Sequence, residues 1–191
     1  MFDTLLSIIA PHYCYRCHKI GGILCLDCKK YIISQKYDIC VLCGQPLKNG
    51  NLCKKHKIPC DMIWCFTKRN GVVAEIIDDY KFNRVQAAAN LLSDFLNDAL
   101  PSLPKEVVIV PIPTISQNIR RRGFGHIEKI ANKLARNRKI ECRSLLRRRN
   151  NVTQHFTKSS RQRKCQANDF FELSGSVDKN RRYIIIDDIF T

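Results

Sequence analysis

Beyond residue 60 the hydrophobic pattern alternates between two periods. Ile63 to Thr67 reads as a short strand. Val72, Val73, Ile76, Ile77 and Tyr80 then form a helical stripe over residues 72–82. Ala89, Leu92, Leu96 and Leu100 repeat it over residues 86–100, where Pro101 and Pro104 stop the helix. Val107 to Val110 is an unbroken β-branched run, the signature of a strand covered on both faces of a parallel sheet. Ile127, Ile130, Ala131 and Leu134 mark a helix over residues 125–138, and Tyr183 to Ile186 reads as a second buried strand. Strands alternating with helices predict an α/β domain with a parallel sheet. The first ten residues carry a short apolar run without a basic flank. They read as a small amphipathic helix rather than a signal peptide.

Residues 1–62 follow neither period, and there cysteine sets the pattern. Nine of the eleven cysteines fall in the first 65 residues. Four pairs occur in order: Cys14 and Cys17, Cys25 and Cys28, Cys40 and Cys43, Cys53 and His56, each with two residues between. A two-residue gap in a tight turn points both side chains at one ion, the knuckle of a tetrahedral zinc site. Two knuckles close a structural site, so the module predicts one or two zinc ions. Adjacent knuckles can pair, and so can interleaved ones. Cys60 and Cys65 are left as core residues, or one of them replaces His56. Without a signal peptide, the compartment is reducing and the expected location is the cytoplasm, where thiols bind metal rather than each other. No stretch is apolar for long enough to form a membrane-spanning helix.

Charge sharpens the picture in one place. The net charge is +16. Residues 119–164 contain 16 basic and 2 acidic side chains, whereas residues 1–118 contain 14 and 10. A charged run is often only a solvated face, but here the balancing acids are missing and self-repulsion opposes folding. A polyanion, either nucleic acid or a phosphorylated substrate, is the simplest compensation.

Ligands of parallel α/β sheets bind beyond the carboxyl ends of the strands. After the strand at 107–110 comes Pro111-Ile112-Pro113, then Arg120, Arg121, Arg122, Gly123 and Phe124. After the strand at 183–186 come Asp187 and Asp188. Adjacent carboxylates repel unless a cation or ligand hydroxyls answer them.

The run from Ile184 to Thr191 resembles the start of the type I phosphoribosyltransferase signature. The order of the motifs narrows this further: four metal knuckles, Asp79-Tyr80-Lys81-Phe82, Val110 to Pro113, Arg121 to Phe124, Thr153 and Gln154 with Arg161 and Asn168, then Phe170. That order resembles the ComF competence proteins, which join a double zinc ribbon to a phosphoribosyltransferase-like domain. The resemblance implies a ribbon over residues 1–62 and a transferase-like domain over 63–191. It implies that Asp187 and Asp188 are the catalytic acids that hold ribose hydroxyls and Mg²⁺. Thr191, Lys81, Arg120, Arg121 and Arg122 would bind phosphorylated sugar, phosphoribosyl pyrophosphate in this family. The sequence departs from the family in Gly125 and His126, where asparagine usually follows Arg-Gly-Phe, and in His56, where the last ligand is commonly cysteine. The rest of the family's phosphate turn is missing after Thr191, whether the gene is truncated, the sequence is a fragment or the form is naturally short, and the chain as given is expected to be inactive as an enzyme.

Three functions are expected. The resemblance implies a role beside a helicase-like partner in the uptake of single-stranded DNA during natural transformation. Arg147, Arg148, Arg149, Arg161, Arg163 and Lys164 would track DNA phosphates, with Phe124, His155 and Phe156 as stacking platforms. A second expectation is an active phosphoribosyltransferase on an acceptor the sequence does not name. The third is a zinc-stabilised interaction module without chemistry.

Overall fold

A computed structural model describes residues 12–35, 37–149 and 170–190. They form two compact units, one ending at Ser102 and the other running from Leu103 to Ile189. The expectations for residues 1–10, and those for Thr153, Gln154, His155, Phe156, Arg161, Arg163, Lys164, Asn168 and Thr191, lie outside the described residues.

The first unit contains the knuckles and three helices, α1 (Leu26–Ser34), α2 (Gly71–Phe82) and α3 (Ala88–Ala99). Helix α2 buries Val73, Ile76, Ile77 and Tyr80, the predicted stripe. It packs on α3, which buries Ala88, Ala89, Leu92 and Phe95. Polar contacts tie these helices to the first knuckle. Tyr15 donates its hydroxyl to Asp79 at 2.5 Å, and Lys29 on α1 pairs with Asp94 on α3 at 2.8 Å. The cysteine pairs and helices α2 and α3 thus share the first compact unit, which ends at Ser102.

Residues 63–67, expected to be a strand, are not one. Two of their backbone groups are taken by Asn51, two residues before Cys53. The Ile63 carbonyl accepts the Asn51 N–H at 2.7 Å, and the Cys65 N–H donates to the Asn51 side chain at 2.7 Å. A segment that meets its hydrogen bonds in a loop has none to offer a sheet.

The second unit is a mixed α/β arrangement around a three-stranded parallel sheet. Its strands are β1 (Val108–Pro111), β2 (Glu141–Cys142), β3 (Leu146–Arg148), β4 (Phe171–Leu173) and β5 (Tyr183–Ile186). The parallel sheet has the order β2-β1-β5, and β3 with β4 forms an antiparallel pair. Central β1 is buried throughout, as its β-branched run predicts. Strand β5 departs from expectation. Among the described residues it is an edge, and Ile185 is 60% exposed, with only Ile186 of the strand buried. An uninterrupted apolar run thus marks membership of the sheet, but not burial on both faces.

Two further helices come after β1: α4 (Ser116–Arg122) and α5 (His126–Arg138). Gly123 ends α4 at φ +85°, where a Cβ would be strained. Helix α5 lays Ile127, Ile130, Ala131, Leu134 and Ala135 against β1 and β2. Burial of each isoleucine or leucine among them is worth about 2 kcal/mol. Parallel pairing aligns Pro111 with Ile186, so β1 and β5 end side by side. The segments leaving these two strands are thereby brought together.

Candidate functional sites: two metal clusters and a strand-end cluster

The cysteine pairs resolve into adjacent clusters, the arrangement that spacing alone left open. Cys14, Cys17, Cys25 and Cys28 form one group. Cys40, Cys43, Cys53 and His56 form the other, and in each the ligand atoms lie within 4.8 Å of one another. Neither Cys60 nor Cys65 belongs to either group. Cys17 and Cys25 sulfurs are 3.6 Å apart, and those of Cys43 and Cys53 are 3.7 Å apart. A tetrahedral ion with Zn–S bonds of about 2.3 Å separates its sulfurs by about 3.8 Å, whereas a disulfide bond is about 2.05 Å. Nε2 of His56 is buried and has no hydrogen-bond partner within the structure, as a ligand nitrogen aimed at an ion must be. Both clusters are compatible with structural zinc.

The two knuckles repeat one backbone design. Cys14 N–H bonds Lys19 O and His18 N–H bonds Cys14 O; Cys40 N–H bonds Gln45 O and Gly44 N–H bonds Cys40 O. His18 and Gly44 occupy the same left-handed position, at φ +59° and +70°. An antiparallel bridge accompanies each, Tyr13 with Ile20 and Ile39 with Pro46.

Thiol electrostatics favour a cation. Burial pushes the Cys14 thiol up, but N–H groups of Cys25, Cys17 and Arg16 outweigh it and bring it down to about 6. Burial likewise raises Cys40, and N–H groups of Cys53, Leu42 and Cys43 bring it down to about 6. Burial, opposed by Arg16 but reinforced by the other three cysteines, pushes Cys28 up to about 12. Cys14 gives up its proton easily and Cys28 resists, unless an ion compensates the accumulating charge.

The strand-end cluster lies within the second unit. Asp188, just past β5, sets its Oδ2 3.2 Å from Nε2 of His126, the first residue of α5. On the other side of that ring, Nδ1 lies 3.2 Å from Nη1 of Arg122 and 3.1 Å from Oγ1 of Thr114. Arg122 is only 7% exposed. Thr114 donates its N–H and hydroxyl to the two oxygens of Glu128, at 3.1 and 3.0 Å. Gly125 makes room for this, since a Cβ there would collide with the Glu128 carboxylate.

Alternation along β3 divides the Arg147–Arg149 triplet. Arg147 and Arg149 share Glu172 on β4, at 2.5 and 3.2 Å. Pairing with Arg147 draws the Glu172 carboxyl below its usual range. Arg148 points the other way, donating Nε–H to the Pro113 carbonyl at 3.1 Å and stacking 5.0 Å over Phe171. Burial lowers its guanidinium from the usual value, and the nearby Asp187 charge opposes that. Arg148, expected on a nucleic-acid face, thus joins Asp187 at the strand ends.

Of the remaining expected residues, Arg120 and Arg121 are exposed on α4, and Lys81 lies on α2 in the first unit. Phe124, expected as a stacking platform, carries Lys129 5.3 Å over its ring. Thr114, His126, Glu128 and Asn51 were missed by the sequence reading. The first three lie outside any strong motif, although His126 stood out as a departure from the family pattern. Among the described residues no helix is long and apolar enough to cross a membrane. No protein-family model, curated protein or solved structure matches this chain.

Proposed function

We propose that this chain is a ComF-type, phosphoribosyltransferase-like protein that binds a phosphorylated sugar at the ends of β1 and β5. Its setting is the uptake of single-stranded DNA. One observation carries the reading: the carboxylates after β5 meet the arginine-bearing segment after β1, through the 3.2 Å approach of Asp188 to His126. A site that offers carboxylates to sugar hydroxyls and guanidinium groups to phosphates suits a phosphorylated sugar. Arg122 and Arg148 bring positive charge to that end. Arg147 and Arg149, 71% and 54% exposed, offer a second basic face to DNA phosphates.

Calorimetry with phosphoribosyl pyrophosphate and Mg²⁺ tests the first part. Heat of binding that Arg148→Gln weakens about tenfold is expected, given the worth of a charge-assisted hydrogen bond. No heat at millimolar ligand would defeat it for this chain. A salt titration of single-stranded DNA binding tests the second. Arg147→Gln with Arg149→Gln should flatten the slope of log K against log salt by about one unit, because Glu172 already neutralises part of the pair.

A further inference from the structure

The two carboxylates after β5 do not sit alike. Asp187 is exposed, and its Oδ1 accepts the Asp188 N–H at 2.9 Å. Asp188 turns inward: its side chain is 11% exposed and that of His126 12%. The imidazole lies between Asp188 and Arg122. A guanidinium carries donors only, so its contact with Nδ1 requires that nitrogen to accept. With Arg122 as the partner, the proton of a neutral ring sits on Nε2 and faces Asp188. Thr114 pulls the other way: its hydroxyl proton goes to Glu128, so its oxygen can only accept at Nδ1. The Nε2–Oδ2 approach is within ion-pair distance but off hydrogen-bond alignment. Contacts in ligand-free sites are commonly of this kind and tighten on binding.

We propose that His126 is a positioning residue that couples Asp188 to Arg122, and that it divides the work of the adjacent carboxylates. Asp188 acts through the imidazole to hold the arginine in place. Asp187 is the carboxylate that meets ligand hydroxyls. The role of Asp187 rests on the phosphorylated-sugar reading above. The bridge stands on ligand-free geometry.

The test uses the full chain with two readouts. The ligand-free one is a thermal-melting cycle of His126→Ala, Asp188→Asn and the double variant, together with the imidazole ¹⁵N shifts of His126. The two changes should be strongly non-additive, with the double variant melting close to the worse single variant. The ¹⁵N shifts should report the Nε2–H tautomer. His126→Gln should recover most of the melting loss, because a side-chain amide can donate to Asp188 and accept from Arg122 at once. The second readout is calorimetry with phosphoribosyl pyrophosphate. Asp187→Asn should lower affinity about tenfold without shifting the melt, and His126→Gln should bind about as tightly as the wild type. Additive melting losses, or an Nδ1–H tautomer, overturn the bridge. Equal affinity losses from Asp187→Asn and Asp188→Asn, with His126→Ala silent, overturn the division of labour. Failure of the wild type to bind the sugar would sink the proposed function and the role of Asp187, while the melting cycle and the tautomer still decide the bridge.

Discussion

The metal clusters and the strand-end cluster gather their groups across very different lengths of chain. Each metal cluster takes its ligands from one short stretch, residues 14–28 or 40–56. The strand-end cluster takes Thr114, Arg122, His126 and Glu128 from one side of the second unit and Asp187 and Asp188 from the other, and only the pairing of β1 with β5 joins them. Local ligands cost little to bring together, but the loops holding them bury few apolar side chains. An ion must supply what packing does not. The strand-end groups are brought together by strand pairing, so they exist only while the sheet does.

Zinc removal should therefore separate the regions with the largest effect. Elemental analysis should find two zinc ions per chain. A chelator strong enough to strip both should unfold the knuckles, since a structural site contributes on the order of 10 kcal/mol near neutral pH. Hydrogen exchange would then show lost protection at Cys14–Cys28 and Cys40–His56 and retained protection in β1 and β5. Cys40→Ser should leave one ion bound, because the clusters share no ligand. Protection lost equally everywhere would break the comparison. Acid should act in the same direction as the chelator. Cys14 and Cys40, with thiols near 6, give up their protons most easily, and metal binding fails as pH falls and protons reclaim the sulfurs.

Asn51 sharpens the contrast from within the first unit. It is 3% exposed and replaces several backbone contacts. Its amide donates to the carbonyls of Tyr37 and Ile39, and its oxygen accepts the Cys65 N–H. Asn51→Ala takes the partner from these half-buried groups, a loss of about 3 kcal/mol that urea unfolding would measure. The loss should persist in zinc-saturated protein. If excess zinc abolished it, the ion alone would hold the second knuckle.

The regions also differ in how plainly the sequence announces them. Ligand spacing is a local code, and all eight ligands could be read from it; only their pairing needed coordinates. The helical stripes at 72–82 and 125–138 were equally legible, because amphipathic period is local too. The strand at 63–67 was misread because its competitor, the backbone and side chain of buried Asn51, leaves no periodic trace. The exposure of Ile185 was misread because burial depends on what lies beside a strand, not on the strand's composition. His126 and Thr114 were invisible as a pair. Neither forms a motif with Asp188, and only the register of two parallel strands brings them to it.

Gly125 probes the strand-end cluster in the same way. Its φ of −80° suits any residue, so an alanine there would carry no backbone strain. The cost is the Glu128 carboxylate, which must swing away from Thr114 to admit the methyl group. Gly125→Ala should cost about 1 kcal/mol, the worth of the Thr114 bonds it disturbs, and Glu128→Ala should make it nearly free. Melting of the two single variants and the double variant would measure this. If both costs simply added, Gly125 would be serving some contact other than Glu128.

The smallest effect compares the two knuckles with each other. Gly44 and His18 hold the same left-handed turn, and a Cβ at Gly44 would meet no atom within 4 Å. Sterics with neighbours therefore drop out and only backbone preference remains. Gly44→Ala should cost about 1 kcal/mol, the penalty of an L-residue in that region. His18→Gly should recover only about 0.5 kcal/mol, because the added freedom of the unfolded chain offsets part of the relief. Calorimetric melting of zinc-loaded protein would resolve both signs. A loss of stability in His18→Gly would mean that the imidazole makes a contact worth more than the strain of its backbone, and the two turns would then be alike in shape but not in what holds them.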